Sequence, residues 1–172
     1  METGQRRHAH EPAPVDVDAI DLLMDDHRLV REYFAHIEAT AHASNAADRH
    51  RKPDLIRQVC DEIEMHSRIE RDIFYPAVRA AFKESDDVMV DDAERDHDEV
   101  DRLVAELRAL RPEDESRADE LLVQLRKAVE AHLHEEEESM FTKARAQIDA
   151  MAVGRQLAQQ KRAIAEERGQ VC

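Results

Sequence analysis

The chain has 172 residues, a length for one domain, and its 42% hydrophobic content is enough for one packed core. Twenty-five basic against forty acidic side chains give a formal charge of −15, which argues against nucleic acid and anionic membrane as partners. With 38% charged residues, 3 Gly and 5 Pro, the composition is that of long solvated helices rather than sheets with tight turns, and 3% aromatics leave Leu, Ile, Val and Ala to fill the core.

Residues 1–15, with two prolines and no apolar period, read as a disordered N-terminal arm, and its His8 and His10 as inert tail residues. The first helix is expected to start at Asp16 or Asp18, either a good N-cap. Its apolar stripe is Ile20, Leu23, His27, Val30, Phe34, Ile37 and Ala41, in steps of three and four. The stretch AHASNAADRHRK then reads as a loop. A second helix is expected from about Pro53, a residue favoured in the first turn, to about Lys83. Its stripe is Ile56, Val59, Ile63, His66, Glu70, Ile73 and Ala77, and Pro76 is expected to kink or loosen its end. Ser85 and Asp86 offer the next cap. The third helix carries Val90, Ala93, His97, Val100, Val104 and Leu107 and ends before Pro112. The fourth carries Ala118, Leu121, Leu125, Ala128, His132, Glu136 and Ser139. A short break near 144–149 precedes a last helix, about 149–168, with Met151, Leu157 and Ile164, which reads as a packing or partner helix.

The pattern contains a repeat. Asp26-His27-x-x-Val30 recurs as Asp96-His97-x-x-Val100, and MHSRIERDIFYPAV (65–78) recurs as AHLHEEEESMFTKA (131–144). His66 aligns with His132, Glu70 with Glu136 and Tyr75 with Phe141; Thr142 stands where the first copy has Pro76. A helix–loop–helix unit used twice predicts an all-α fold: an up-down-up-down antiparallel four-helix bundle over residues 16–145, with a C-terminal extra helix and tail at 146–172.

Two His-x-x-x-Glu pairs, His66 with Glu70 and His132 with Glu136, each follow a lone inward histidine, His27 or His97. A four-residue step stacks both side chains on one helix face. An inward carboxylate costs several kcal/mol unless it is paired or binds metal. Two such carboxylates, each one turn after an inward histidine, point to a dinuclear metal site. The metal-free alternative is a buried His–Glu ion-pair network, which needs every member satisfied. Six ligands are too many for one tetrahedral zinc and suit two five- or six-coordinate ions, with iron ranked before manganese and zinc. Ferritin-like sites use Glu-x-x-His in a carboxylate-rich shell, the reverse order.

The stretches DDHRLV (25–30), MHSRIERDIFYPAV, ERDHDEV (94–100) and AHLHEEEESMFTKAR (131–145) resemble the hemerythrin-like, or HHE cation-binding, domain. The resemblance covers roughly residues 16–145. It implies a non-heme di-iron centre, oxo- and carboxylate-bridged, with His27, His66, Glu70, His97, His132 and Glu136 as ligands. Oxygen-carrying hemerythrins have His-x-x-x-His in the third helix, whereas this chain has Ala93 before His97 and Asp101 after it. Their last motif is His-x-x-x-x-Asp, whereas here Glu136 follows His132 by four. One histidine ligand is therefore missing, and the open position is left to water, Glu94 or a small ligand. That shifts the expectation from reversible oxygen carriage toward oxidative or sensing chemistry on oxygen, peroxide or nitric oxide, with catalase-like peroxide decomposition as the enzymatic form. The alternative is an iron- or oxygen-sensing module without turnover, signalling to a protein partner or a second copy through the last helix or the N-terminal arm.

His134, Glu135, Glu137 and Glu138 flank the second motif, but helical phase turns them toward solvent. His36, His42 and His50 fall off the stripe or in the loop. Tyr33 and Tyr75 are candidates for donors behind the ligands, or for simple packing. Cys60 and Cys172 read as reduced thiols. No apolar run approaches the roughly 20 residues of a membrane span, and no signal-peptide pattern is present, so the expected location is the cytoplasm.

Overall fold

The computed structural model describes residues 16–41, 50–111 and 113–170, and these contain no β-strand. The arm at 1–15, His42 and Cys172 lie outside the described residues. α1 spans Ala19–Ala41. Asp18, rather than Asp16, caps it: its Oδ1 accepts the Ile20 and Asp21 N–H groups at 2.8 and 3.3 Å. α2 spans Lys52–Ile69 with Pro53 in its first turn, then runs through a π-helical turn, Glu70–Phe74, into α3, Tyr75–Ala81. Phe82 turns extended and stops it. A 3-10 turn, Glu84–Asp86, leads into α4, Asp87–Arg108. The Asp86 carboxylate bonds no N–H of α4; it pairs with Lys143 instead. α5, Glu115–Glu135, passes through a second π turn, Glu136–Met140, into α6, Phe141–Gln147. The chain breaks at Ile148, Asp149 caps the next helix through the Ala152 N–H, and α7 spans Ala150–Gln170.

The expected kink at Pro76 is something else. Both copies of the repeat carry a π turn, closed by the Tyr75 N–H on the Glu70 carbonyl and the Phe141 N–H on the Glu136 carbonyl. The second copy does so with Thr142 in the proline's place, so proline is not the cause. Each π turn begins at the glutamate of a His-x-x-x-Glu pair, a placement typical of functional sites.

Two apolar clusters fix the topology. One gathers Ile20 and Leu23 of α1, Phe74 and Val78, Val90 and Ala93 of α4, and Met140 and Phe141. The other gathers Val30 and Phe34, Val59 and Ile63, Val100 and Val104, and Leu125 and Val129. α1 runs from the first cluster to the second, α2–α3 back, α4 forward and α5–α6 back. The four rods therefore alternate up and down, as the repeat predicts. On every rod the candidate ligands fall between the two clusters, so they form one polar layer at mid-height.

α7 packs on α1 and α2 and buries Val153, Leu157 and Ile164. Met151 is 40% exposed, and Val153 is buried instead. Gly154 lets α7 meet the start of α1, since a Cβ there would stand 1.9 Å from the Val17 carbonyl oxygen. Gly154→Ala is therefore expected to lower stability by about 1–3 kcal/mol through overpacking. Intrinsic helix propensity alone predicts a gain of about 1 kcal/mol. The sign of the change in urea midpoint decides between them.

Candidate metal centre

The structure brings all six sequence-predicted positions into the polar layer, all of them buried. His27 and His66 face each other with Nε2 atoms 3.2 Å apart, and His97 and His132 do the same at 2.9 Å. Each pair thus comes from one half of the repeat. The carboxylates straddle the pairs. Glu70 Oε2 lies 3.1 Å from His66 Nε2 and 3.2 Å from His97 Nε2. Glu136 Oε2 lies 3.5 Å from both His27 Nε2 and His132 Nε2. Two groups of metal-capable atoms result, each within 4.8 Å: His27, His66, Glu70 and Glu136 in one, Glu70, His97 and His132 in the other.

All four imidazoles turn Nε2 inward, which leaves Nδ1 for the protein to orient. His27 Nδ1 lies 2.8 Å from Glu137 Oε1, which also accepts from Arg31. His66 Nδ1 faces Asp26 at 3.7 Å, and His132 Nδ1 faces Asp96 at 3.9 Å. The repeated Asp-His dipeptide therefore has two jobs. Its histidine enters the layer, and its aspartate backs the histidine of the following helix. Outer carboxylates of this kind fix the tautomer and raise the basicity of a metal-binding imidazole.

Burial opposes charge on His66, but Glu70, Asp26 and Glu136 outweigh it and push the imidazole up to about 10. His132 is likewise pushed up to about 10 by Glu136, Asp96 and Glu70 against the effect of burial. Burial lowers His97, with Glu70 opposing. Burial would raise Glu70, but the His66 charge and the close approach of the His132, His66 and His97 rings hold it well below the usual carboxylate range. Without metal, the layer thus sets two imidazolium ions, His66 and His132, against the Glu70 carboxylate. That network does not close: both oxygens of Glu70 and Oε2 of Glu136 are buried without a hydrogen-bond partner. Carboxylate oxygens orphaned among four imidazole Nε2 atoms are a donor set for cations.

A family model described as hemerythrin HHE cation binding domain matches residues 18–144. The chain belongs to that family. No match was found among curated proteins or among solved structures.

The structure decides two open candidates, Glu94 and Tyr75, and corrects one neighbour, Glu137. Glu94, a candidate for the open position, turns outward and pairs with Arg79 at 3.1 Å. Glu137, expected in solvent, sits behind His27; burial opposes its charge, but Arg31 and His27 hold its carboxyl below the usual range. Phase counting at α-helical pitch missed it because Glu137 lies in a π turn, where consecutive side chains rotate less and both Glu136 and Glu137 reach α1. Tyr75 is the donor behind the site: its hydroxyl gives a 2.9 Å bond to Glu136 Oε1 and stands 3.3 Å from His97 Nε2. Burial and the Glu70 and Glu136 carboxylates raise its pKa well above the ordinary tyrosine value, so it stays protonated. Tyr33 packs against the second apolar cluster. Phe141, aligned with Tyr75, stacks on His27 at 5.3 Å and brings no hydroxyl. His134, Glu135, Glu138, His36 and His50 are exposed, as expected.

Proposed function

We propose that this hemerythrin-family chain holds two iron ions and binds or reacts with dioxygen, peroxide or nitric oxide. His27 and His66 serve one ion, His97 and His132 the other, and Glu70 and Glu136 span both. The observation that carries this reading is the pair of buried, partly orphaned carboxylates set between two histidine pairs. Bound iron supplies a redox couple and an electrophilic position for a small ligand. The chain supplies the rest. Glu137 hydrogen-bonds the back of His27, and Asp26 and Asp96 face the backs of His66 and His132. Tyr75 occupies Oε1 of Glu136 and so leaves Oε2 to face His27 and His132. The two apolar clusters keep bulk water from the layer. Six nitrogen and oxygen donors favour iron over zinc, which prefers four. No helix among the described residues is long and apolar enough to cross a membrane. Cys60 is a free, buried thiol that burial pushes up to about 11, consistent with the proposed cytoplasmic location. Iron-loaded protein is expected to show near-ultraviolet charge-transfer absorption that changes on adding peroxide or nitric oxide. An iron-loaded spectrum unmoved by oxygen, peroxide and nitric oxide alike would overturn the reading.

A second reading, an iron-sensing module without turnover, has one observation in its favour. Lys161 of α7, beyond the family match, bonds Asp26, which backs His66. The C-terminal helix is thereby tied to the layer through two side chains. Iron-dependent protection of α7 from protease, without peroxide turnover, favours this reading. Turnover that disappears in His132→Ala while the fold survives favours the first.

A further inference from the structure

The repeat makes the two halves of the site comparable position by position, and they differ in one respect. A cavity of about 170 Å³ opens between α4 and the second π turn and has His132 and Glu136 on its floor. Liquid water takes about 30 Å³ per molecule, so a few small molecules fit. Ala93 and Met140 form part of its wall, and Asp92, Asp96 and Glu135 its rim. By the repeat, Ala93 corresponds to Leu23, Met140 to Phe74, Asp92 to Leu22 and Glu135 to Ile69. Those four counterparts are all buried and apolar. The outer aspartates follow the same division. The Asp26 side chain is 6% exposed and covered by Lys161 of α7, whereas that of Asp96 is 41% exposed. The first half is plugged and the second is open.

We propose that small molecules reach the site through this cavity, arriving beside His132 and Glu136, and that its acidic rim selects uncharged ligands over anions. The inference rests on the metal-site reading above and adds to it a route, a side and a charge preference. Ala93 supplies the opening, because a side chain of leucine size at that repeat position closes the other half. Glu136, whose Oε2 is buried without a hydrogen-bond partner, lies on the cavity floor. Carboxylates at the mouth of a narrow, poorly hydrated passage repel anions at a distance and leave neutral molecules unaffected.

The test uses full-length, iron-loaded protein and stopped-flow association of nitric oxide and of azide. Ala93→Leu, which copies the plugged half, should keep two metals and the parent optical spectrum yet slow both ligands. Asp92→Asn with Glu135→Gln, both remote from the fold's core, should speed azide by roughly tenfold and leave nitric oxide unchanged. The azide gain should vanish at high salt. Iron uptake by the metal-free protein, a readout independent of ligand chemistry, should also be slower in Ala93→Leu. Two-metal Ala93→Leu protein with parent rates, or rim variants with no change in azide rate, overturns the inference and leaves the metal reading standing. Parent protein that takes up no metal overturns both. Should Ala93→Leu fail to fold, the rim variants decide the matter alone.

Discussion

Replacing Glu70 with glutamine is expected to abolish tight metal binding in a chain that stays helical. Glu70 is fully buried and its Oε2 approaches three of the four histidines, at 3.1 Å from His66, 3.2 Å from His97 and 4.0 Å from His132. No other side chain faces both histidine pairs so closely. Glutamine keeps the volume and removes the charge, so no cavity term enters. In the metal-free protein the change breaks the pairing with the imidazolium of His66. Removing one partner of a buried pair costs about 3–5 kcal/mol. Against a typical total of about 5–15 kcal/mol the bundle survives at reduced stability. The control is Asp26→Asn, which lies behind His66 and against Lys161 of α7, outside the inward ligand set, and should weaken metal binding by about 10–100-fold without abolishing it. Isothermal titration with ferrous ion, run beside circular dichroism, separates the two. Full-strength binding of two metals by Glu70→Gln would show that the carboxylate does not span the pairs.

The second large effect is on stability against pH. His66 and His132 are each pushed from 6.5 up to about 10 in the folded, metal-free chain. A folded-state value above the unfolded one stabilises the fold while the group is protonated. That contribution is complete below about pH 6.5 and is lost as pH rises through about 10. Metal acts in the opposite direction, because an imidazole must be neutral to bind it. Loading is therefore expected to release protons from His66 and His132, detectable with an indicator dye in weak buffer. The thermal midpoint of the metal-free protein should fall from about pH 6 to about pH 10. The stabilisation gained on loading should widen over the same interval, by on the order of a few kcal/mol. A gain that narrows as pH rises would mean that the imidazoles are not the groups displaced.

Much of this was legible in the sequence because a straight bundle obeys one period. Steps of three and four placed His27, His66, Glu70, His97, His132 and Glu136 on inward stripes, and the doubled hairpin gave the alternating order of the rods. The structure brings those six together with no change to the set. What escaped the sequence reading departs from that period or spans long separations. The π turns shift phase by a residue, which brings Glu137 behind His27 and makes Pro76 a bystander. The contact of Lys161 with Asp26 crosses 135 positions and depends on how α7 docks, which no local pattern encodes. Glu94 sits one turn before His97, yet Arg79 draws it outward. The unequal plugging of the two halves was present in the repeat all along, as Leu23 against Ala93, but only the cavity gives it meaning.

On the proposed reading, four histidines and two carboxylates hold two iron ions in one site. Elemental analysis of protein expressed with ample iron, after brief chelation to strip loosely held ions, tests it most directly. The account predicts two iron ions per chain. Protein that holds no iron, or a single zinc in its place, would contradict it.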